Sequence, residues 1–234
     1  TGESDQVVTL LGRNTGRISA MARGARKSAR RFAGGLGLAA SGEAVFRERA
    51  GAELALLESF DVRQGRHSLG ADLGRTAQAG YVAELCGELC AARQPEVAVY
   101  DLLESFLDAL DERGAHVARL RTFELALLTH LGIGPTFSGC IACGRADLAD
   151  EIVRLDLAHG GIACRGCARG GTPIHPPVRR ALERLAAVSL AEAETMTFDR
   201  DVANATRVAT GELVAQHLSR PLKSLEFLRK MQSG

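Results

Sequence analysis

The chain has 234 residues, of which 46% are hydrophobic and 24% charged, and its formal net charge is +1. This composition is typical of a globular protein with two or three units, large enough to bury a core. No stretch approaches the roughly 18 consecutive apolar residues of a membrane helix, and the first residues do not resemble a secretory signal. We therefore expect a soluble, cytoplasmic protein.

The charge is distributed unevenly along the chain. Residues 1–31 carry seven basic and two acidic side chains, a net charge of +5, whereas the rest carries 22 basic and 26 acidic ones, a net charge of −4. All seven cations lie between Arg13 and Arg31, where no acidic residue occurs. The sequence therefore indicates an electrostatically polarised protein.

Residues 6–63 have the short alternating pattern of β-strands. Strands are expected at about residues 7–11, 18–23, 44–49 and 53–62, joined by turns that contain glycine. Four such strands suit a small antiparallel barrel, so we predict an OB-fold. Because residues 2–5 have the composition of a turn between strands, we also expect one further strand upstream.

Helical periodicity follows the predicted barrel. We expect one helix capped by Asp72, a second that begins at Pro95 and ends before Gly114, and a third that ends at Gly132. Each has an apolar face at helical spacing, which predicts that the three form a bundle.

Further helices are expected after Pro176, over residues 202–218 and over residues 222–231. The predicted fold class is therefore α+β and multidomain, with a cysteine-containing module inserted in the helical part. The predicted segments are an OB-fold domain (1–66), the first part of a helical domain (67–137), a four-cysteine zinc-binding module (138–171) and the second part of the helical domain (172–234).

Two CxxC pairs, separated by twenty residues, follow the third predicted helix. They consist of Cys140, Cys143, Cys164 and Cys167. Each CxxC turn directs two thiolates to the same ion, so the spacing predicts one tetrahedral Zn²⁺. Four sulfur ligands leave no coordination position for substrate, which makes the predicted role structural.

Other interpretations of the cysteines remain open. A disulfide framework needs an oxidising compartment, and a thioredoxin-like redox pair needs only one CxxC motif. His159 is an alternative ligand, although the four cysteines already complete a site. Cys86 and Cys90 lie four residues apart on a predicted helix and are interpreted as small buried side chains rather than as a second metal site.

The segment from Arg23 to Phe32 combines five of the cations with small residues directly after a predicted strand. A solvated loop is the ordinary interpretation, but an acid-free cationic segment on an OB-like barrel also matches a nucleic-acid groove. Tryptophan is absent and few aromatic residues occur nearby. Binding is therefore expected to depend on phosphates and to weaken steeply with salt.

Motifs typical of enzymes are absent: the sequence contains no HExxH, no GxSxG and no GKS or GKT phosphate loop. The paired acids Asp101 with Glu104 and Asp108 with Glu112 have helical spacing and are interpreted as solvated helix surface. We therefore expect a protein that is not an enzyme.

Four segments, in chain order, carry a resemblance to a known family. They are GESDQVVTLL (2–11), GRISAMARGARKSARR (16–31), FELALLTHLGIGPTFSGCIACG (123–144) and GGIACRGC (160–167). In this combination the whole chain resembles the RecO family of bacterial recombination mediators. The resemblance implies an N-terminal OB-fold, a helical domain and a zinc-binding module.

The resemblance also implies a function in DNA repair by the RecF-type pathway. Such a protein would bind single- and double-stranded DNA, anneal complementary strands, engage RecR and the tail of single-stranded DNA-binding protein, and help RecA to load, in association with the nucleoid. The implied zinc ligands are the four cysteines above. The implied DNA-binding residues are Arg13, Arg17, Arg23, Arg26, Lys27, Arg30 and Arg31.

Two functions from other classes remain as alternatives. A zinc-bearing redox chaperone would release its metal on oxidation and bind unfolded proteins. A zinc-dependent enzyme acting on nucleic acid would need an open metal position and a base, neither of which the sequence offers.

Overall fold

The computed structural model describes residues 4–28, 30–32, 35–48, 51–148 and 150–225. The chain divides into two compact units, Thr1–Ala115 with Leu222–Gly234, and His116–Pro221. Each unit combines a four-stranded sheet with helices, so the predicted α+β class is confirmed. Two helices that the sequence analysis assigned to the helical domain belong to the first unit. The division into four segments stays a prediction.

The first sheet contains the four strands that the sequence predicted, β1 (Gln6–Gly12), β2 (Gly16–Ala22), β3 (Ser41–Arg47) and β4 (Ala55–Gln64). Their order is β1-β2-β4-β3. The outer pairs are antiparallel, whereas β2 and β4 run parallel. The predicted OB-fold stays a prediction.

Alternation along β2 produces the core of this sheet. Every second residue of β2 is buried, from Gly16 to Ala22, as expected for a strand with one face in a core. Phe32 joins the same cluster from the segment after β2. The buried members are Ile18, Ala20, Ala22, Phe32, Ala55, Leu57 and Phe60.

Two helices complete the first unit, α1 (Leu73–Leu89) and α2 (Val97–Arg113). Asp72 caps α1 as predicted, since its side chain accepts a hydrogen bond from the backbone N–H of Arg75. Gly114 ends α2 with φ 89°, also as predicted. Pro95, expected in the first turn of α2, lies two residues before the helix, which begins at Val97.

The acidic residues of α2 are not simply solvated, contrary to the expectation from sequence. The buried guanidinium of Arg66 binds Glu104 at 3.0 Å and Asp108 at 2.7 Å. Asp101 forms a two-bond ion pair with Arg13. Helical spacing places these acids on one face, but it cannot reveal a basic partner located about forty or more residues away in sequence.

The second unit is built around α3 (Val117–His130), most of whose residues are buried. It packs against α4 (Pro176–Ala187), α5 (Leu190–Ala193) and α6 (Arg200–Ala215). Helices α1 and α2 pack on each other in the first unit, whereas α3 belongs to the second, so the bundle of the first three helices stays a prediction. An apolar face specifies burial, but not which helix covers it.

The second sheet follows α3 and comprises β5 (Thr136–Cys140), β6 (Val153–Asp156), β7 (Gly161–Ala163) and β8 (Pro173–Ile174), in the order β5-β7-β6-β8. Strands β5 and β7 run parallel. The helix expected over residues 222–231 lies mostly outside the described residues, which end at Leu225.

Candidate nucleic-acid interface and metal centre

The cationic loop, residues 23–32, directly follows β2, and the structure describes its residues 23–28 and 30–32. Gly24 adopts the left-handed conformation with φ 63° and ψ 23°. It leads into a single 3₁₀ turn, Ala25–Lys27, closed by a hydrogen bond of 3.0 Å from the Lys27 N–H to the Gly24 carbonyl. Glycine is suited to this position because it adopts positive φ without steric cost.

The start of the loop is attached to the residues that precede β1. The backbone N–H of Gly24 donates to Asp5 Oδ1 at 2.8 Å. The backbone N–H of Arg26 donates to the carbonyl of Ser4 at 3.3 Å. A carboxylate that accepts a backbone N–H forms one of the stronger hydrogen bonds in proteins, so Asp5 fixes the turn at which the cations begin.

The end of the loop is held by the side chain and carbonyl of Arg31. Its Nε donates to Ser28 Oγ at 3.1 Å, and its Nη2 donates to the carbonyl of Arg23 at 2.7 Å. The same guanidinium lies 5.3 Å from the ring centre of Phe32, which is buried in the sheet core. The Arg31 carbonyl accepts the backbone N–H of Phe60 at 2.9 Å.

Four other cations of the loop have exposed side chains: Arg23, Arg26, Lys27 and Arg30. Within the described part of the chain, no acidic side chain pairs with Arg23, Lys27 or Arg30. An exposed cluster of one sign attracts polyanions and releases their counterions on contact. The structure therefore brings these four predicted residues together on one loop.

The remaining two predicted residues have partners within the first unit. Arg13 donates two hydrogen bonds to Asp101, of 3.0 and 2.9 Å, and these bonds lower the pKa of Asp101 and raise that of Arg13. Arg17 is half-buried and donates from Nε to the carbonyl of Cys90 at 2.9 Å. DNA contact by Arg13 and Arg17 stays a prediction.

The four predicted ligand cysteines converge in the second unit. The four Sγ atoms all lie within 4.8 Å of one another. Cys143 Sγ and Cys164 Sγ are 3.9 Å apart, and sulfurs bound tetrahedrally to Zn²⁺ at 2.3 Å would be separated by about 3.8 Å. Among the described residues, this is the one group of three or more His, Cys, Asp or Glu side chains placed to hold an ion.

The two sheet strands β5 and β7 bring the cysteine turns together. Cys140 ends β5, and Cys164 comes directly after β7. The turns are closed by backbone hydrogen bonds from Gly144 to Cys140 and from Cys167 to Cys164, of 2.8 and 3.0 Å. The N–H of Cys164 also donates to Cys140 Sγ at 3.3 Å, an arrangement that stabilises a thiolate.

The surroundings favour ionised thiols at two of the four positions. Burial raises the pKa of Cys140, but hydrogen bonds from the backbone of Cys164, Cys143 and Ala142 outweigh it and lower the pKa to about 6. The pKa of Cys164 is also lowered, because contacts with Cys167 outweigh its burial. Neighbouring cysteine side chains raise the pKa of Cys167 to about 12. Such mutual effects are expected where several thiols share one small volume.

Glu151 connects the two cysteine turns from outside the cluster. One carboxylate oxygen accepts the backbone N–H of Arg165, in the second turn, at 2.5 Å. The other is ion-paired with Arg145, whose own carbonyl accepts the N–H of Cys140 at 2.9 Å. These contacts lower the pKa of Glu151, with the Arg165 N–H as the main cause.

Sequence reasoning missed Asp5 and Glu151, which hold the loop and the cysteine turns. Each lies within two residues of another acid in sequence, Glu3 or Asp150, and composition gives no sign that its carboxylate accepts a backbone N–H. The interpretation of Cys86 and Cys90 as buried side chains is confirmed, since each is 1% exposed.

Comparison with known proteins gives concordant matches over the whole chain. The family model described as Recombination protein O N terminal matches residues 1–66, and Recombination protein O C terminal matches residues 70–226. The chain belongs to the RecO family. The DNA repair protein RecO of Anaeromyxobacter sp. (strain K) is 41% identical over 97% of this chain and 90% of that protein.

Relatives from other bacteria have the same name. The DNA repair protein RecO of Myxococcus xanthus is 37% identical, and that of Geobacter sulfurreducens is 35% identical, each over 98% of this chain and 92% of that protein. The family resemblance inferred from sequence is confirmed, and a role in recombination repair follows from it. Of the described helices, none is long and apolar enough to cross a membrane.

Proposed function

We propose that this protein is a DNA-binding recombination mediator of the RecF-type repair pathway and that it performs no covalent chemistry. The observation that carries the proposal is the exposed cationic loop, in which Arg23, Arg26, Lys27 and Arg30 are presented together. Family membership supports the role in repair. The protein would bind single- and double-stranded DNA and anneal complementary strands.

The composition of the interface favours phosphate contact over base stacking. Phe32 and Phe60 are buried in the sheet core, and Phe46 packs against it, so these rings are not available as stacking platforms. Arginine forks bind phosphate oxygens without reading the bases. A phosphate-directed surface lowers the repulsion between two strands and leaves their base edges free to pair, which suits annealing.

We propose an OB-type barrel as the support of this interface. The order β1-β2-β4-β3 and the parallel contact between β2 and β4 support this assignment, because a Greek-key barrel pairs strands that are not consecutive. The cationic loop follows β2 immediately, and loops between OB-fold strands are common oligonucleotide sites.

We further propose that the four cysteines hold one structural Zn²⁺. The sulfur-only donor set, the Sγ separations and the N–H bond to Cys140 support this ion. When bound, the ion would link the two cysteine turns and compensate the thiolate charge. Glu151 would hold the turns in register from outside, and Arg145 would reduce the net negative charge of the site.

The partners that we propose are RecR, the tail of single-stranded DNA-binding protein and, indirectly, RecA, with the protein in the cytoplasm at the nucleoid. They are proposed from the family resemblance. An acidic, apolar tail would need a groove that combines cations with hydrophobic walls.

The decisive experiment measures DNA binding and strand annealing as a function of salt for the triple variant Arg26→Ala, Lys27→Ala, Arg30→Ala. We expect affinity for single-stranded DNA to fall by about tenfold or more, and the slope of log K against log salt to decrease by about 2–3, because phosphate contacts are lost. A matched control, Arg180→Ala, Arg184→Ala, Arg200→Ala, removes three exposed cations of the second unit.

The control separates a specific interface from general charge attraction. If the control weakens binding as much as the loop variant does, net charge rather than the cationic loop explains the affinity. If the loop variant binds and anneals like the wild type, the proposed interface is wrong.

A further inference from the structure

An acidic side chain lies at the base of the cationic loop, where simple electrostatics would not place it. Asp5 accepts the backbone N–H of Gly24 at 2.8 Å, at the left-handed residue with which the loop begins. The adjacent Ser4 carbonyl accepts the N–H of Arg26. An acid near a phosphate site reduces affinity through charge, so its presence here points to a different contribution.

Arg31 is an exposed cation of the loop whose Nε and Nη2 donate hydrogen bonds within the loop itself. It binds the Ser28 hydroxyl and the Arg23 carbonyl, and its guanidinium lies over the ring of Phe32. These contacts join the first and last residues of the loop. Phosphate contact through the same Nε and Nη2 atoms would require breaking them.

We infer that Asp5 and Arg31 are positioning residues that hold the cationic loop in its DNA-binding shape, and that neither contacts the nucleic acid. This inference rests on the proposed function of the loop. It assigns phosphate contact to Arg23, Arg26, Lys27 and Arg30, and it removes Arg31 from the contact residues expected from sequence.

The physical reason is preorganisation. Four neighbouring cations repel one another, and the loop buries only Phe32 among its described residues, so apolar burial does little to fix its shape. If DNA had to order the loop on binding, the lost conformational entropy would reduce the affinity. The hydrogen bonds of Asp5 and Arg31 order the loop before DNA arrives.

The sign of the effect at Asp5 distinguishes positioning from charge. Asp5→Ala makes the protein more positive but removes the hydrogen-bond acceptor. Asp5→Asn makes the same change of charge and keeps a side-chain oxygen at the same place. A role through charge alone predicts tighter DNA binding for both variants, whereas positioning predicts weaker binding for the alanine variant only.

The experiment measures single-stranded DNA affinity by fluorescence anisotropy at fixed salt. We expect Asp5→Ala to bind about fivefold to tenfold more weakly than the wild type, and Asp5→Asn to bind at least as tightly as the wild type. Hydrogen exchange of the peptide that covers residues 23–32 should rise in Asp5→Ala without DNA. Thermal unfolding checks that both variants fold.

Arg31 is tested with a charge-conserving pair. Arg31→Lys keeps the charge but cannot make two directed bonds and stack on the ring, whereas Arg30→Lys makes the same change at an exposed position. We expect Arg31→Lys to bind DNA about fivefold more weakly and to expose the loop to hydrogen exchange, and Arg30→Lys to change both by less than about twofold.

The outcomes separate this inference from the function on which it rests. Equal or tighter binding by Asp5→Ala overturns the assignment of Asp5, and equal effects of Arg31→Lys and Arg30→Lys overturn that of Arg31. If the triple alanine variant of the loop binds DNA normally, the proposed function itself fails. If the triple variant is weak while Asp5→Ala and Arg31→Lys bind normally, only the positioning role is wrong.

Discussion

The cationic loop and the cysteine segment are both irregular and rich in small residues, yet they are held in different ways. Among its described residues the loop has one buried apolar side chain, Phe32; Asp5 accepts a hydrogen bond from its backbone, and Arg31 donates one to the Arg23 carbonyl. The cysteine segment, residues 138–171, has four converging thiols, and apolar side chains in it and beside it are buried. These buried residues are Phe137, Leu148, Val153, Leu155, Ile162 and Ile174.

The difference follows from what each segment must do with its side chains. A phosphate-binding loop must leave its cations in water, so only its backbone and a few side chains can take part in folding. A structural metal site can turn its ligands inward, because the ion itself satisfies them. We therefore expect single polar substitutions to change the conformation of the cationic loop. The fold of the cysteine segment should be changed mainly by substitutions at its cysteines and at residues that constrain its backbone.

Metal removal should produce the largest effect, confined to the second unit. Structural zinc in small peptides contributes roughly 10–16 kcal/mol of apparent binding energy at neutral pH, so Cys164→Ala should lose both the metal and the folded shape of residues 138–171. Elemental analysis and hydrogen exchange measure the two losses. Cys86→Ala, at a buried cysteine outside the cluster, should retain one metal ion per chain.

The cationic loop should keep wild-type exchange protection in Cys164→Ala, since its contacts lie in the first unit. If residues 138–171 keep full protection from hydrogen exchange after metal loss, their buried apolar side chains suffice to hold the fold of this segment. In that case the metal would not be what distinguishes the cysteine segment from the cationic loop.

A glycine substitution tests how much the backbone contributes to the cysteine segment. Gly171 has φ 91°, and a Cβ there would overlap with the carbonyl of Leu155. We expect Gly171→Ala to lower the free energy of unfolding by about 2–4 kcal/mol, measured by denaturant with metal bound. Gly166→Ala has open space and no positive φ, and should change stability by less than about 0.5 kcal/mol.

If both glycine variants unfold at the same denaturant concentration as the wild type, the metal alone holds this segment. The cysteine segment would then depend on its metal alone, whereas the cationic loop would depend on hydrogen bonds.

Glu151→Gln should accelerate metal loss without abolishing binding. The amide oxygen still accepts an N–H group, but the ion pair with Arg145 is lost, and outer partners of metal ligands affect affinity by about 10–100-fold. We expect release to a chromophoric chelator to become about tenfold faster. Asp147→Asn, at an exposed position of the same segment, is the control; equal rates for the two variants would contradict the role of Glu151.

The smallest expected effect concerns Arg13, which is paired with Asp101 and exposed. Asp101→Asn weakens that pair, and we expect about twofold tighter DNA binding if Arg13 extends the cationic loop. Glu112→Gln, on the same helix, makes an equal change of charge. Equal gains for both variants would indicate net charge alone and leave Arg13 outside the interface.

The same pair makes a prediction about pH. The hydrogen bond from Arg13 lowers the pKa of Asp101 below its ordinary value, so the carboxylate is ionised near neutral pH in both the unfolded and the folded chain. The stabilising contact is lost only as the pH falls through the lowered pKa. The difference in DNA affinity between Asp101→Asn and the wild type should therefore be constant between about pH 5.5 and 8.

The sequence correctly predicted strands and helix ends whose signal lies within a few neighbouring residues. The four strands of the first sheet, the Asp72 cap and the Gly114 helix end were all recognisable, because alternation and capping depend on neighbouring residues. The cysteine cluster was also predictable, since a CxxC turn brings two thiols together by itself and the second pair completes the same tetrahedron.

Prediction failed where the partner lies far away in sequence. Arg66 and the acids of α2 are about forty residues apart, so those acids resembled a solvated surface. The apolar face of α3 was recognised, but its covering helices, α4, α5 and α6, follow the cysteine segment rather than precede it. Periodicity specifies a face, whereas the tertiary structure selects what packs on it.

The amino-acid sequence by itself determined the family, the cysteine cluster and the position of the cationic loop, because each depends on residue type and short spacing. Only the tertiary structure showed which side-chain hydrogen bonds three of the seven cations make: Arg13 binds Asp101, Arg17 the Cys90 carbonyl and Arg31 the Arg23 carbonyl. The reason is that a charge is specified by one residue, whereas its availability to DNA depends on every polar group that the fold places within hydrogen-bond distance.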